Sequence, residues 1–311
     1  MEFFKKRAAK KAAKEQVEEA VKAADERVAK KRAAKIDEAL EELVEKQEAE
    51  KQEAENESVM GAPDEAIEAL REVLADDPDR RIHITAQTAV AAVFSVLKDE
   101  KGIRIEDALG VIGAFAGHMA IRAAMNVSEP ETEEEERLTV LKISDDETAI
   151  YGPGINTFLL TNPHSVFNLV GGGVQMAGGS KMPDPNLLIQ QHERTLGTEG
   201  FGIPIVPDTH QLRTTPRSFL IQVWPMLEHH ITVFEKAPAG LCAAMAVAAQ
   251  DLIVQGKDAV NPEVAAQIVL QSAFATSSIP PAIARKAMDE VTKAREKMHA
   301  SQPPNEPSTS S

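Results

Sequence analysis

Residues 105–126 place the tightest constraint on how this chain can fold. After the acidic pair Glu106 and Asp107, the stretch runs Ala-Leu-Gly-Val-Ile-Gly-Ala-Phe-Ala-Gly-His-Met-Ala-Ile and is apolar around most of its circumference when wound as a helix. Such a helix has no side to give to water and must be sheathed by other elements. Carboxylates in its first turn suit the positive end of the helix dipole. Gly110, Gly113 and Gly117 recur at intervals of three and four. Each glycine lowers helix propensity by about 1 kcal/mol relative to alanine but lets another backbone come close, so this face is expected to be packed. Only 12 of the 311 residues are aromatic while 43% are hydrophobic, which implies a core of Ala, Val, Leu, Ile and Met and favours helices over a β-sandwich.

The fold expected is mostly α, of α+β class: a helical bundle-like domain with one β-hairpin over residues 60–300. A long charged helical arm over 1–58 precedes it, and a Pro- and Ser-rich tail over 301–311 is expected to be disordered. The arm has no Gly or Pro from 5 to 57 and carries its charge in blocks, net +6 over 1–35 and net −8 over 36–57. Its apolar seam is thin, so a weak or partner-dependent coiled coil and a solvated single helix both remain open. Beyond Gly61 and Pro63, an amphipathic helix with Ile67, Leu70, Val73 and Leu74 on one face ends at Asp77-Pro78. Further helices are expected over 85–98, 105–126, 217–234, 240–255, 261–277 and 282–299. Residues 138–144 and 148–151 read as two short strands around the acidic turn Asp145-Asp146-Glu147. Residues 156–170 are partly helical with a break at Asn162-Pro163, and 129–136 is a solvated acidic loop. The Gly- and Pro-dense region 171–216 is expected to be broken structure with short helices at most, either functional or wrapped over the core.

Chemistry is sparsely signalled. The run from Gly171 to Lys181 invites comparison with a phosphate loop, but after Gly173 and Gly178 come Gly179-Ser180, with Lys181 late, and the dinucleotide fingerprint also fails at Met176. A close-packing turn is the favoured reading; the alternative is an anion site of Gly173, Gly178, Ser180 and Lys181. None of the eight histidines makes an HExxH pattern. A metal site of His192, Asp208, His210 and His229, or His230 in its place, is a second alternative to surface or core-edge histidines. Cys242, between Leu241 and Ala243, is expected to be an inert core thiol. His118 reads as a hydrogen-bonded core histidine, with a perturbed base as the lesser reading. Trp224 is expected in the core beside Phe219, Ile221, Val223 and Leu227.

The formal net charge is −15, of which −13 falls on residues 58–311, so binding to nucleic acid is not expected. The apolar stretches 108–121 and 237–249 are shorter than a bilayer requires, and the basic start lacks a signal peptide's apolar core, so a cytoplasmic location is expected. Phe3 and Phe4 followed by Lys5, Lys6 and Arg7 form an interaction candidate for a protein partner and, more weakly, for an anionic membrane surface. The segments at 108–120, Tyr151-Gly-Pro-Gly-Ile-Asn, Phe201-Gly-Ile-Pro, Trp224-Pro and 262–269 together resemble a group of uncharacterised bacterial proteins over roughly residues 80–280. The resemblance carries no activity, cofactor or site residue. With catalytic motifs missing, the expected function is a non-enzymatic interaction or scaffold role through the arm and oligomerisation. The alternative is a small-molecule-binding or metal-dependent enzyme with its site in 164–230.

Overall fold

The computed structural model describes residues 64–126, 138–143, 148–195, 198 and 202–300. The arm with Phe3, Phe4, Lys5, Lys6 and Arg7, the acidic loop, the acidic hairpin turn and the tail lie outside them. The chain divides into two units, Met1–Glu68 and Ala69–Ser311, and the elements below belong to the second, apart from the first residues of α1.

It is mostly helical with one antiparallel hairpin. In chain order the elements are α1 (Asp64–Leu74), α2 (Pro78–Leu97), α3 (Ile105–Met125), β1 (Thr139–Lys142), β2 (Thr148–Tyr151), α4 (Pro153–Asn156), a π turn (Thr157–Thr161), α5 (Val166–Met176) and α6 (Pro185–Thr195). A 3-10 turn (Asp208–His210) then leads to α7 (Pro216–Ile231), α8 (Pro238–Gln255), α9 (Pro262–Ser277) and α10 (Pro281–Ala300). The helix expected over 105–126 is the hub: α3 packs on α9, α8, α7 and α2, while α5 lies on α8 and α10 on α7.

The expected glycine face exists. A Cβ at Gly113 would stand 2.5 Å from the Val269 carbonyl oxygen, and one at Gly117 would overlap the Ala273 carbonyl and the Thr276 hydroxyl. The two backbones approach so closely that Thr276 Oγ1 donates across the interface to the Ala114 carbonyl at 2.8 Å. Gly110 meets only the side chains of Leu212 and Phe219. On the other side of α3, Phe115 stands edge-on to Trp224, with ring centroids 4.9 Å apart, and the tryptophan is in the core as its apolar neighbours require.

Helix starts were harder to read than helix centres. Asp77-Pro78 ends α1 and also opens α2, seven residues ahead of the expected start, because the Asp77 carboxylate accepts from the Arg80 N–H at 3.0 Å and Pro78 fills a first-turn position that needs no donor. Proline likewise moves the start of α7 to Pro216, capped by Thr215, and that of α8 to Pro238. Val73, assigned by spacing to the buried face of α1, is 51% exposed, and Leu74 takes the core position.

The length argument against membrane-spanning segments also needs correction. Both α3 and α8 are long and apolar enough to cross a bilayer by length and composition. In this fold the apolar stretch of α3 is 83% buried against its neighbours and that of α8 56%. The expected hairpin is present, with Thr139 opposite Tyr151 and Lys142 opposite Thr148. Its inner strand docks on the end of α9, where the Ile150 N–H donates to the Ser278 carbonyl at 2.9 Å.

Candidate functional site

The glycine-rich run is not a phosphate loop. Gly171, Gly172 and Gly173 continue helix α5, and a Cβ on Gly173 would come within 3.0 Å of the Gln250 backbone on α8. The helix then ends in a Schellman motif: Gly178 takes φ +87°, its N–H donates to the Gln175 carbonyl at 3.0 Å, and Gly179 N–H donates to Val174 at 2.8 Å. The N–H groups of Ser180 and Lys181 donate to one carboxylate oxygen of Glu263, at 3.3 and 3.0 Å. The donors that would have held an anion are therefore occupied by the protein's own acid.

The four residues of the metal alternative are not brought together, and among the described residues no three His, Cys, Asp or Glu side chains form a metal-binding group. Asp208 is exposed on the 3-10 turn, and His229 is exposed on α7 beside His230, with ring centroids 5.6 Å apart. His210 Nδ1 lies 3.0 Å from Glu106. That pair belongs to a clamp that straps residues 202–215 over the bundle. Arg213 donates from its backbone to the fully buried Asp107 at 2.9 Å, from its side chain to the same carboxylate, and on to Asp99 at 2.8 Å. Arg104 holds the Gln211 carbonyl at 2.8 Å. At the other end Gln267 donates to the Ile205 carbonyl at 2.6 Å, and Gln271 accepts from its N–H. Leaving one of these charges buried without its partner is what would be costly. The irregular region is thus wrapped over the core and fixed there.

Cys242 and His118 are both core residues. The thiol of Cys242 is buried against the Ala116 carbonyl at 3.5 Å, and burial pushes its pKa up to about 12. We expect it to resist a thiol reagent such as dithionitrobenzoate in the folded protein and to react within seconds in denaturant; rapid native labelling would contradict its burial. His118 is in the core, 4% exposed, as expected, but its Nδ1 has no hydrogen-bond partner among the described residues. Burial first, and then the positive charge of Arg122, pull its pKa down to about 3.

His192 is different, because it faces space. Helix α6 presents Ile189, His192 and Glu193 on successive sides of one face, the end of β2 brings Tyr151, and the last turns of α9 bring Phe274 and Ser277. Between them lies a cavity of about 250 Å³, also lined by Ile150, Pro153, Ile155, Asn156 and Leu159. A smaller chamber of about 30 Å³, lined by Gln191, Thr195 and Gln271, lies on the other side, and His192 and Phe274 are walls of both. The imidazole stands 5.5 Å from the Tyr151 ring and 6.1 Å from Phe274, measured between centroids. Burial pulls its pKa down to about 4, so it is a neutral hydrogen-bonding group at pH 7.

The backbone around the cavity follows from local sequence. Gly152-Pro153 ends the strand and starts a helix, while Asn162-Pro163 ends it. The π turn between them, a form frequent at functional sites, sends Leu159 into the core. Sequence reasoning singled out His192 but not Tyr151, Asn156, Phe274 or Ser277, which belong to elements more than a hundred residues apart. No family model matches this chain, and comparison with curated proteins and with solved structures finds no similar protein.

Proposed function

We propose that the unit Ala69–Ser311 binds a small organic molecule in the cavity walled by Tyr151, His192 and Phe274. The observation that carries this reading is the placement of His192, with Phe274, as the shared wall of two cavities, the larger of which combines an aliphatic lining with a few polar groups. Sites for small molecules are commonly such concave, mainly apolar pockets with few polar groups. Here the polar groups are His192, Asn156, Glu193, Ser277 and the Tyr151 phenol.

The test is native mass spectrometry of the full-length chain purified without chelators, with imidazole NMR of His192 during titration with 2-phenylethanol. An organic adduct on each 33.7 kDa subunit, or a saturable shift of His192 that Ile189→Phe abolishes by filling the cavity, is the expected result. If no adduct is present and His192 does not respond to the alcohol, the cavity is a packing gap and the reading fails. A second reading, association with a protein partner or another copy through the arm, is supported by its opposed charge blocks of +6 and −8. Deleting residues 1–57 and finding the oligomeric state and partner recovery unchanged would dismiss it.

A further inference from the structure

We infer that the ligand of this cavity is a neutral or singly cationic molecule with an apolar, ring-sized body, and that anionic compounds are excluded from it. This rests on the cavity being a binding site. Among the described residues no Lys or Arg lines either chamber. Arg194, next in sequence to Glu193, lines neither. The ionisable groups that do line them are His192, Glu193 and the Tyr151 phenol.

The chemistry that follows is one-sided. A carboxylate or phosphate entering the cavity would lose its hydration and find no positive partner, which is among the costliest things a buried group can do. His192 does not supply the missing charge, because its surroundings hold it neutral. Glu193 is exposed and also lines the cavity, so it marks the side on which the cavity meets solvent. There it can accept from an ammonium whose apolar part lies deeper. The net −13 of residues 58–311 acts in the same direction at longer range.

The interior suits a ring. The rings of Tyr151 and Phe274 each lie about 6 Å from that of His192, and Ile150, Ile155, Leu159 and Ile189 supply aliphatic lining. Aromatic groups gain from offset or edge-on packing beyond area burial. Phosphorylated metabolites, nucleotides and acyl anions are thereby set aside, and aromatic or branched amines, alcohols and amides are selected.

Three probes of one shape test this in the full-length protein: 2-phenylethylamine, 2-phenylethanol and phenylacetate, each titrated at pH 7.5 while the imidazole resonances of His192 are followed. We expect the amine to bind about two- to fivefold more tightly than the alcohol, as befits one exposed ion pair. Phenylacetate should bind at least about tenfold more weakly than the alcohol, because a carboxylate stripped of water has no partner there. Glu193→Gln should erase the amine's advantage, so that amine and alcohol bind that variant about equally. Phenylacetate binding as tightly as the alcohol would overturn the inference while leaving the binding site standing. Failure of all three probes to move His192 would remove the site, and the inference with it.

Discussion

Gly117→Ala is expected to cost up to about 3 kcal/mol in folding stability, the upper end of what overpacking a core costs. The added methyl would have to occupy the place of the Ala273 carbonyl and the Thr276 hydroxyl on α9. Both are fixed: the carbonyl is backbone inside a helix, and the hydroxyl is bonded to Ala114 at 2.8 Å. The helices must separate, and overpacking a tight core typically costs about 1–3 kcal/mol before the cross-helix hydrogen bond, worth about 1 kcal/mol, is lost as well. Against this stands the propensity gain of alanine over glycine, about 1 kcal/mol. Since domains are stable by only about 5–15 kcal/mol in total, the variant should unfold at a much lower urea concentration, with Trp224 fluorescence as the probe. Gly110→Ala supplies the control. Its methyl meets the two terminal carbons of Leu212 at 2.9 Å, a side chain that can rotate away, so that change should stay within about 1 kcal/mol of the parent. A Gly117→Ala protein as stable as Gly110→Ala would refute the tight α3–α9 contact.

The same contrast explains how much of the fold could be read in the sequence. An apolar circumference and a three-and-four glycine spacing are local facts, and they gave the central helix and its packed face because only one arrangement satisfies both. The partner of that face is not local. Nothing in residues 262–277 says that Val269 and Ala273 present their carbonyls to Gly113 and Gly117. Prolines misled in one direction, because Pro78 and Pro216 read first as interruptions but stand in first turns. The run from Gly171 to Gly173 misled in another: glycine's helix penalty suggested a break, yet contact with Gln250 holds the helix together through it.

The candidate site was the least legible part. His192 drew attention through its chemistry, but only as part of an alternative metal site with Asp208, His210 and His229, of which Asp208 and His229 are exposed and His210 pairs with Glu106. The walls that define its surroundings come from a strand end, a π turn and two helices. Tyr151, the sole tyrosine, acquires significance only when β2 is anchored to Ser278 and so delivers it next to α6. A side chain's type announces what it can do, while the neighbours that decide what it does are chosen by tertiary packing.

The second large effect is on pH. His118 and His192 are held near pKa values of about 3 and about 4, whereas in the unfolded chain each titrates near about 6.5. Between these values the unfolded chain binds more protons than the folded one, so stability rises with pH and is complete only above about 6.5. Lowering the pH through that value progressively favours unfolding, until each imidazole protonates in place near its folded pKa. At pH 5 the penalty is about 2 kcal/mol for each histidine, about 4 kcal/mol together. Among the shifted acids, the carboxyl of Asp99, held low by its hydrogen bond from Arg213, gives up its contribution only further down the pH scale, while Asp251, shifted upward by burial, gains stability as the pH falls and offsets part of the histidine loss. Urea titrations at pH 7.5 and 5.0 should therefore differ by several kcal/mol. His118→Leu, which replaces an imidazole lacking a partner at Nδ1 with an apolar side chain of similar size, should remove about half of that difference. A protein losing less than about 1 kcal/mol over this interval would show that the two imidazoles reach water, and an NMR titration placing either pKa near 6.5 would identify which one.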